Sequence, residues 1–503
     1  MNGWPGKPET VKLSKSKKFY ITTTLPYVNA ALHLGHALEF VQADIIARHR
    51  KLLGDDVFFN TGTDEHGLKI YRTAVKSNKD PKTYVDEYAE KFKSFCRALN
   101  VDYAAFIRTT DPHHVKAAQE FWKRCDQNGD IYKGIYKVKY CVGCELGKTD
   151  SELVDGRCPL HPTLEIELIE EENYFFKFSK YQQPLLDFYK ANSDFVIPES
   201  RFNEIKNFVS AGLQDFSISR LREKMSWGIP VPGDEKHVMY VWFEALINYV
   251  STLGWPEDKE KFESFWGTKQ SRNAVQIAGK DNLRQQSAMW QAMLMSAGLP
   301  NSKNILIHGF VTGDGGIKMS KTLGNVVDPL DVVRDFGVDA LRYWFAREMP
   351  TFEDGEFTVE KFKGSYNSEL ANGIGNLASR IMKMAVSNGV SLVLDYSEQD
   401  FIGGKTRHKV TAFTDALDNY RLKEAADLIW GQIKMADGFI QKTEPFKNIK
   451  NNPEQAKRDI SDLLEYLWQI GVYLKPFLPR TSERIMNAIK NNEEIKTPLF
   501  PRL

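Results

Sequence analysis

Phe19 to Leu25 is an aromatic and β-branched run closed by Pro26, which predicts a buried strand. From about Gly35 the apolar positions Leu38, Val41, Ile45 and Leu52 recur at helical spacing up to Gly54, a residue suited to a helix stop. Val57-Phe58-Phe59 then predicts a second strand. Strand, helix and strand in that order make a right-handed crossover with parallel strands. The loop Pro26 to His36 then falls at the carboxyl end of the first strand, where such sheets hold ligands. Strand-like apolar runs return at His237 to Trp242, Ala274 to Ala278 and Asn304 to His308, and are read as the second half of one split sheet. Between Lys116 and Lys224 the composition changes. Lys133 to Cys144 is rich in Tyr, Lys and Gly with clustered cysteines behind it, which predicts an inserted module. Beyond Tyr366 the strand signals stop, and Leu377 to Val386, Val410 to Tyr420, Lys423 to Phe439 and Asp459 to Leu474 predict a helix bundle.

A chain of 503 residues is too long for one hydrophobic core and, at about 150 residues per domain, makes room for roughly three units. With 42% apolar and 26% charged residues it excludes a disordered or low-complexity protein. Sixty-seven basic against 66 acidic side chains give a net charge of +1, so any nucleic-acid contact must be a local patch. No apolar run approaches the roughly 18 residues of a membrane span, and the five lysines of Met1 to Lys18 have no apolar segment behind them. The expectation is a cytoplasmic protein without membrane contact. The odd set Cys96, Cys125, Cys141, Cys144 and Cys158, three of them close together, points to a metal rather than to disulfides.

Three motifs carry chemistry. His33-Leu34-Gly35-His36 sits where a strand turns into a helix, so its amides and imidazoles face an anion at that terminus, and Gly35 admits a planar group such as an adenine. Gly313 to Gly316 leads into Lys318-Met319-Ser320-Lys321-Thr322, a glycine-rich tether whose lysines suit a triphosphate on which charge builds. Taken singly, the first is more readily a solvated or core-satisfied pair of histidines and the second an ordinary solvated basic turn. Cys141-x2-Cys144 with Cys158-x2-His161 offers three thiolates and an imidazole at the spacing of a tetrahedral zinc site, one zinc per chain, with no open position and hence a structural role.

The first two motifs, one after the first strand and one after the last, resemble the signatures of the class I aminoacyl-tRNA synthetases. The surrounding text narrows the resemblance to the methionyl-tRNA synthetase family: Leu25-Pro26-Tyr27-Val28-Asn29, Thr61 to Gly67, Tyr240 to Ala245 and Asn376-Leu377-Ala378-Ser379-Arg380 look like its motifs. The resemblance runs from about Phe19 into the bundle.

It implies an α/β protein: a split Rossmann-like parallel-sheet catalytic domain with a zinc-binding insertion, followed by an all-α anticodon-binding bundle. In residue ranges these are a basic lead over 1–18, catalytic halves over 19–115 and 224–322, the insertion over 116–223, a stem-contact segment over 323–375 and the bundle over 376–503. The implied activity joins L-methionine to ATP and transfers it to tRNA(Met), with magnesium accompanying ATP. His33, His36, Lys318 and Lys321 would carry catalysis; Gly35, Gly279, Asp281 and Lys321 would hold ATP. Methionine would meet Leu25, Tyr27, Asp64, Arg220, Trp242, Ala245, Leu246, Tyr249, Asn282 and Gln286, with Asp64 and Arg220 near its charged end. Asn376, Arg380 and Phe446 would read the anticodon, Phe446 standing where relatives usually have tryptophan. The insertion would help place the acceptor end of tRNA, and a monomer is expected. Three positions depart from the family: Leu246 replaces a common proline, and Asn282 and Gln286 replace an expected isoleucine and histidine. On sequence alone a class I synthetase for another amino acid, and a non-catalytic tRNA-binding paralogue, stay open.

Overall fold

The computed structural model describes residues 17–144, 146–317, 319, 326–404 and 410–503. Lys318, Lys321 and most of the basic lead lie outside the described residues.

Six strands form the main sheet, labelled here in chain order: β1 (Lys18–Thr22), β2 (Asp56–Thr63), β3 (Ala105–Arg108), β4 (Val196–Ile197), β5 (Ala274–Gly279) and β6 (Asn304–His308). They pair in parallel throughout, in the spatial order β3-β2-β1-β5-β6-β4. The order reverses between β1 and β5, and a crevice opens outside the carboxyl ends of strands at such a switch point. Alternating side chains feed two cores, as the twofold period of a strand requires. Ile21, Val275, Ile277 and Leu306 face one core, and Tyr20, Ala274, Ala278, Ile305 and Ile307 face the other.

The structure departs from the sequence expectations at two places. The run His237 to Trp242 is not a strand of the main sheet. Asp234–Met239 pairs antiparallel with Ser219–Leu221 in a separate three-stranded sheet, and the chain turns helical at Val241. A short apolar run shows that a segment is buried but not which partner buries it. β4 lies within the span 116–223 read as an insertion, yet it pairs with β6 as the edge of the main sheet. The rest of that span includes a four-stranded sheet built on the long antiparallel ribbon of Ile131–Cys141 and Glu167–Phe176.

The first helix, Leu34–Leu52, buries most of its length against the sheet and against Trp344–Glu348 and Glu398–Ile402, and the apolar core there runs on into the C-terminal helices Asn376–Ser387, Leu422–Thr443, Pro453–Leu474 and Pro479–Asn491. One continuous apolar core joins them. At its centre lies a fully buried ion pair, with Arg342 Nη2 2.6 Å from Asp44 Oδ2. The same guanidinium donates to the carbonyls of Phe477 (2.8 Å), Pro476 (2.9 Å) and Leu99 (3.2 Å). Asp44 also accepts from Arg48 Nε at 2.7 Å and from the Asp102 amide at 2.8 Å. Desolvating these charges is costly, and only this full set of partners offsets it.

Arg342→Met should therefore destabilise the protein by about 3–5 kcal/mol in urea unfolding, because three carbonyls and a carboxylate lose a buried donor together. A loss below about 1 kcal/mol would show the pair to be dispensable.

Candidate active site

His33 caps the first helix through its own ring: Nδ1 accepts the Gly35 amide at 3.1 Å, while His36 Nδ1 accepts the His33 amide at 3.2 Å. A backbone amide can only donate, so in each neutral ring the proton sits on Nε2. The two rings lie 3.8 Å apart between centroids. Burial, with the neighbouring rings of His33 and His308 adding to it, holds the His36 imidazole well below its ordinary value. His36 is thus a neutral hydrogen-bond donor near pH 7. Gly35 matters for a further reason, since a Cβ there would come within 3.0 Å of the His33 ring that caps its amide.

Two groups that the sequence reading passed over complete this corner. Glu39, one turn along the same helix, takes the amide and hydroxyl of Thr24 at 2.7 Å each on one oxygen, and on the other meets His308 Nε2 at 3.0 Å. His308 ends β6 and donates from Nδ1 to its neighbour's carbonyl, Gly309 O, at 2.8 Å. Against the burial that would lower it, Glu39 and this carbonyl hold the His308 imidazole above its ordinary value. The signal available in the sequence was a polar residue at the carboxyl end of a parallel strand, where ligands gather. At the end of β5, a Cβ on Gly279 would lie 2.7 Å from Asp281 Oδ1, so that carboxylate rests directly against the glycine. Asn282 Nδ2 is 3.4 Å from the same oxygen.

The loop after β2 is held from two sides. Glu65, buried, receives Arg108 at 2.6 and 2.9 Å, and Arg108 also pairs with Asp86. His66 Nδ1 meets Glu244 Oε1 at 2.9 Å, and His114 Nε2 meets Glu244 Oε2 at 3.0 Å. Burial would raise the Glu244 carboxyl, but the two imidazoles hold it below the usual range. Glu244 belongs to the helix Val241–Ala245, so this bridge fixes Asp64 relative to Trp242. The chain at Pro26 to Val28 hydrogen-bonds with Asp64, with Asp64 N to Pro26 O at 3.1 Å and Val28 N to Asp64 O at 3.2 Å.

Tyr27, Tyr240, Val241, Trp242 and Ala245 form one small apolar cluster, with the Tyr27 and Trp242 rings edge to face at 6.1 Å. The buried Trp242 Nε1 has no hydrogen-bond partner among the described residues. Leu246 and Tyr249 continue from the same segment into the neighbouring core, and Leu25 is half-buried at the loop entrance. Gln286 Nε2 donates to the Tyr249 hydroxyl at 2.8 Å. Arg220 is caged by the faces of Tyr240, Tyr136 and Tyr140 at 4.2, 4.9 and 5.3 Å and donates to Ser219 O at 2.6 Å. Such stacking suits a guanidinium fixed in one plane.

In the insertion, Cys141, Cys144, Cys158 and His161 bring four ligand atoms within 4.8 Å of one another. Cys144 Sγ is 3.5 Å from Cys158 Sγ and 3.3 Å from His161 Nδ1, and Cys141 Sγ is 3.8 Å from that nitrogen. These are edges of the size a tetrahedron with metal–sulfur bonds of about 2.3 Å requires, so the residues fit a zinc ion. The cluster could hold a metal ion and is consistent with zinc. Burial and the adjacent thiol of Cys158 push the Cys144 thiol up to about 12, a cost that a bound cation removes.

In the C-terminal helices, Asn376 is exposed at the start of its helix, and Phe446, on the short helix Pro445–Asn448, is 48% exposed. Arg380 is half-buried, with Nη1 2.7 Å from Asp437 Oδ1.

The sequence profile described as "tRNA synthetases class I (M)" matches residues 19–164 and 163–382, and that described as "Anticodon binding domain of methionyl tRNA ligase" matches 395–498. Methionine--tRNA ligase of Clostridium acetobutylicum is 40% identical over 493 residues, covering 96% of this chain and 75% of the relative. That of Nostoc sp. is 41% identical over 480 residues, covering 94% and 90%. A solved structure of Mycobacterium tuberculosis methionyl-tRNA synthetase in complex with methionyl-adenylate superposes with a TM-score of 0.85 at 34% identity, covering 97% of this chain and 98% of that one.

Because His308 is held above its ordinary value, the stability from its pairing with Glu39 is complete below the unfolded-state histidine value of about 6.5 and is lost as pH rises through the folded value. The stability gap between the parent and Glu39→Gln in urea unfolding should thus be widest near about pH 6 and narrow towards about pH 9. A gap that stays constant over that interval would contradict it.

Proposed function

The chain belongs to the methionine branch of the class I tRNA synthetases, and on that premise we propose that it activates L-methionine with ATP and transfers the methionyl group to the 3′-terminal adenosine of tRNA(Met). The observation that carries this reading is the convergence of three groups at the switch point of the sheet. These are the histidines after β1, Gly279 and Asp281 after β5, and the aromatic wall of Tyr27 and Trp242 beside Asp64. Relatives of the same branch match nearly the whole chain.

The chemistry needs no side-chain nucleophile. The carboxylate of methionine attacks the α-phosphate, forming a mixed anhydride while the α–β phosphate bond breaks and pyrophosphate leaves. The ribose hydroxyl of the terminal adenosine then attacks the activated carbonyl, and AMP departs. The protein's part is alignment and stabilisation of developing charge. In this reading His33 and His36 donate from Nε2 to phosphate oxygens, with Gly35 between them, and Lys318 and Lys321 neutralise the β- and γ-phosphates together with magnesium brought by ATP. Asp281 would accept the ribose hydroxyls beside Gly279, a fitting task for a carboxylate with two acceptor oxygens.

Leu25, Tyr27, Trp242, Ala245, Leu246 and Tyr249 would enclose the thioether, with Asn282 and Gln286 at its floor, while Asp64 and Arg220 would face the charged end. Apolar and aromatic walls suit a flexible, polarisable side chain. The insertion would hold one structural zinc on Cys141, Cys144, Cys158 and His161, and Asn376, Arg380 and Phe446 would read the anticodon. We further take the protein to be a cytoplasmic monomer. Among the described residues no helix is long and apolar enough to cross a membrane.

Exchange of pyrophosphate into ATP, assayed with each of the twenty amino acids, tests the reading: methionine should drive it, and exchange driven by another amino acid would replace it. Phe446→Ala should lower the kcat/KM of tRNA charging by an amount equivalent to about 1–3 kcal/mol while leaving exchange untouched, since it removes one stacking face remote from the reaction. Equal charging by parent and variant would remove Phe446 from the anticodon surface. Metal analysis of protein purified without chelator should find one zinc per chain, and Cys144→Ser should lose it and unfold the insertion first.

A further inference from the structure

Just past His308 the chain makes a second, smaller strand pairing that the activity just proposed does not use. Val311–Thr312 lies parallel to Gly355–Glu356, with the Gly355 amide donating to Phe310 O at 3.0 Å and the Phe357 amide to Thr312 O at 2.8 Å. The approach is close: a Cβ on Gly309 would stand 2.1 Å from the Glu353 carbonyl carbon, so a side chain there has no room. A carboxylate stands on either side of Gly355, and each takes one backbone amide and one lysine. Asp354 Oδ1 accepts the Phe310 amide at 2.9 Å, and its two oxygens meet Lys280 Nζ at 2.8 and 2.7 Å. The Lys280 ammonium also lies over the Phe310 ring, 4.4 Å from its centroid. Glu356 Oε1 accepts the Gly315 amide at 2.6 Å, and its other oxygen pairs with Lys361. Both ion pairs are partly exposed, and such pairs add little to global stability. Their effect is on direction, because a carboxylate with an amide on one side and an ammonium on the other has one orientation.

We propose that Asp354 and Glu356 form a two-ended brace, Asp354 holding the turn that offers Asp281 to the ribose and Glu356 holding the turn that leads into Lys318. Both are positioning residues, and the inference rests on the reading of Asp281 as the ribose acceptor and of Lys318 as a partner of the phosphates. Lys280 directly precedes Asp281 on the single turn Lys280–Asn282, so fixing its ammonium fixes that turn. Gly315 lies in the turn closed by the Gly313 amide on Ile317 O at 2.7 Å, and Lys318 is the next residue of the chain. Side chains two apart on extended chain share a face and stand about 7 Å from one another. One short segment thereby sets the spacing between the two ends of the nucleotide site. Loosening the ribose end weakens binding of ATP in the ground state, whereas loosening the phosphate end is felt only as charge builds in the transition state.

Pyrophosphate exchange with ATP and with 2′-deoxy-ATP separates the two ends. Asp354→Ala should raise the KM for ATP by about three- to tenfold, the scale of one hydrogen bond, and shrink the preference for ATP over 2′-deoxy-ATP, with the KM for methionine unchanged. Glu356→Ala should lower kcat by a similar factor with both KM values unchanged. Glu356→Gln, which keeps an acceptor for the Gly315 amide, should recover most of that loss. In a Lys318→Ala background Glu356→Ala should cost nothing further, since the group it positions is gone. Urea midpoints should match the parent throughout. Parent-like kinetics, a loss spread over kcat and both KM values, or losses that multiply in the double variant overturn the brace. Should Asp354→Ala fail to fold, Asp354→Asn, which keeps Oδ1 for the Phe310 amide and gives up the charge facing Lys280, is read the same way. Asp281→Asn tests the reading beneath it. If that variant keeps the full preference for ATP over 2′-deoxy-ATP, the ribose assignment falls and the brace with it. If Asp281→Asn loses the preference and the Asp354 variant does not, the brace alone is overturned.

Discussion

The buried pair of Asp44 and Arg342 is the constraint around which the chain is arranged. Neither charge can return to water, so each collects every partner within reach. Asp44 takes two guanidinium groups and an amide, and Arg342 takes three carbonyls from two distant loops. Because Asp44 lies on the helix that His33 caps, satisfying this charge also sets where the two histidines stand. The loop between the last two bundle helices is thereby tied to the helix that opens the catalytic corner. Geometry at the sheet's switch point follows from compensation of charge some turns away.

The same logic recurs wherever the site must be held still. Glu65 with Arg108, Glu244 with two imidazoles, and Glu39 with His308 and Thr24 each join segments far apart in the chain. In each case a buried carboxylate fixes backbone that carries other groups. Preorganisation of this kind is what a reaction without a protein nucleophile demands.

Much of this was legible in the sequence, for reasons that can be named. β1, β5, β6, the first helix and four of the bundle helices announce themselves by apolar periodicity, and the metal cluster by its two paired spacings. What escaped was pairing. The segment ending at Met239 has the composition of a central strand, but its neighbour is Ser219–Leu221, and only three-dimensional contact decides between one sheet and another. β4 is two residues long and leaves almost no pattern. Glu39, His308 and Glu244 escaped because buried carboxylates and imidazoles have no periodic signature; each is explained only by the partner across from it. The substitutions Asn282 and Gln286 read from sequence as departures. Gln286 proves to accept from Gln276 Nε2 and to donate to the Tyr249 hydroxyl, so both ends of its carboxamide have a buried partner.

The apolar core that runs without a break from the sheet, through the first helix, into the C-terminal helices has a consequence for melting. Tasks divided along the sequence need not divide along the unfolding coordinate. Because the part that meets ATP and the part assigned to the tRNA share buried apolar residues of one core, heat or denaturant cannot expose one without uncovering the other. Calorimetry would then meet fewer cooperative transitions than there are functional regions, and a lesion among the buried residues of the bundle would be felt as a loss of native population at the nucleotide end as well.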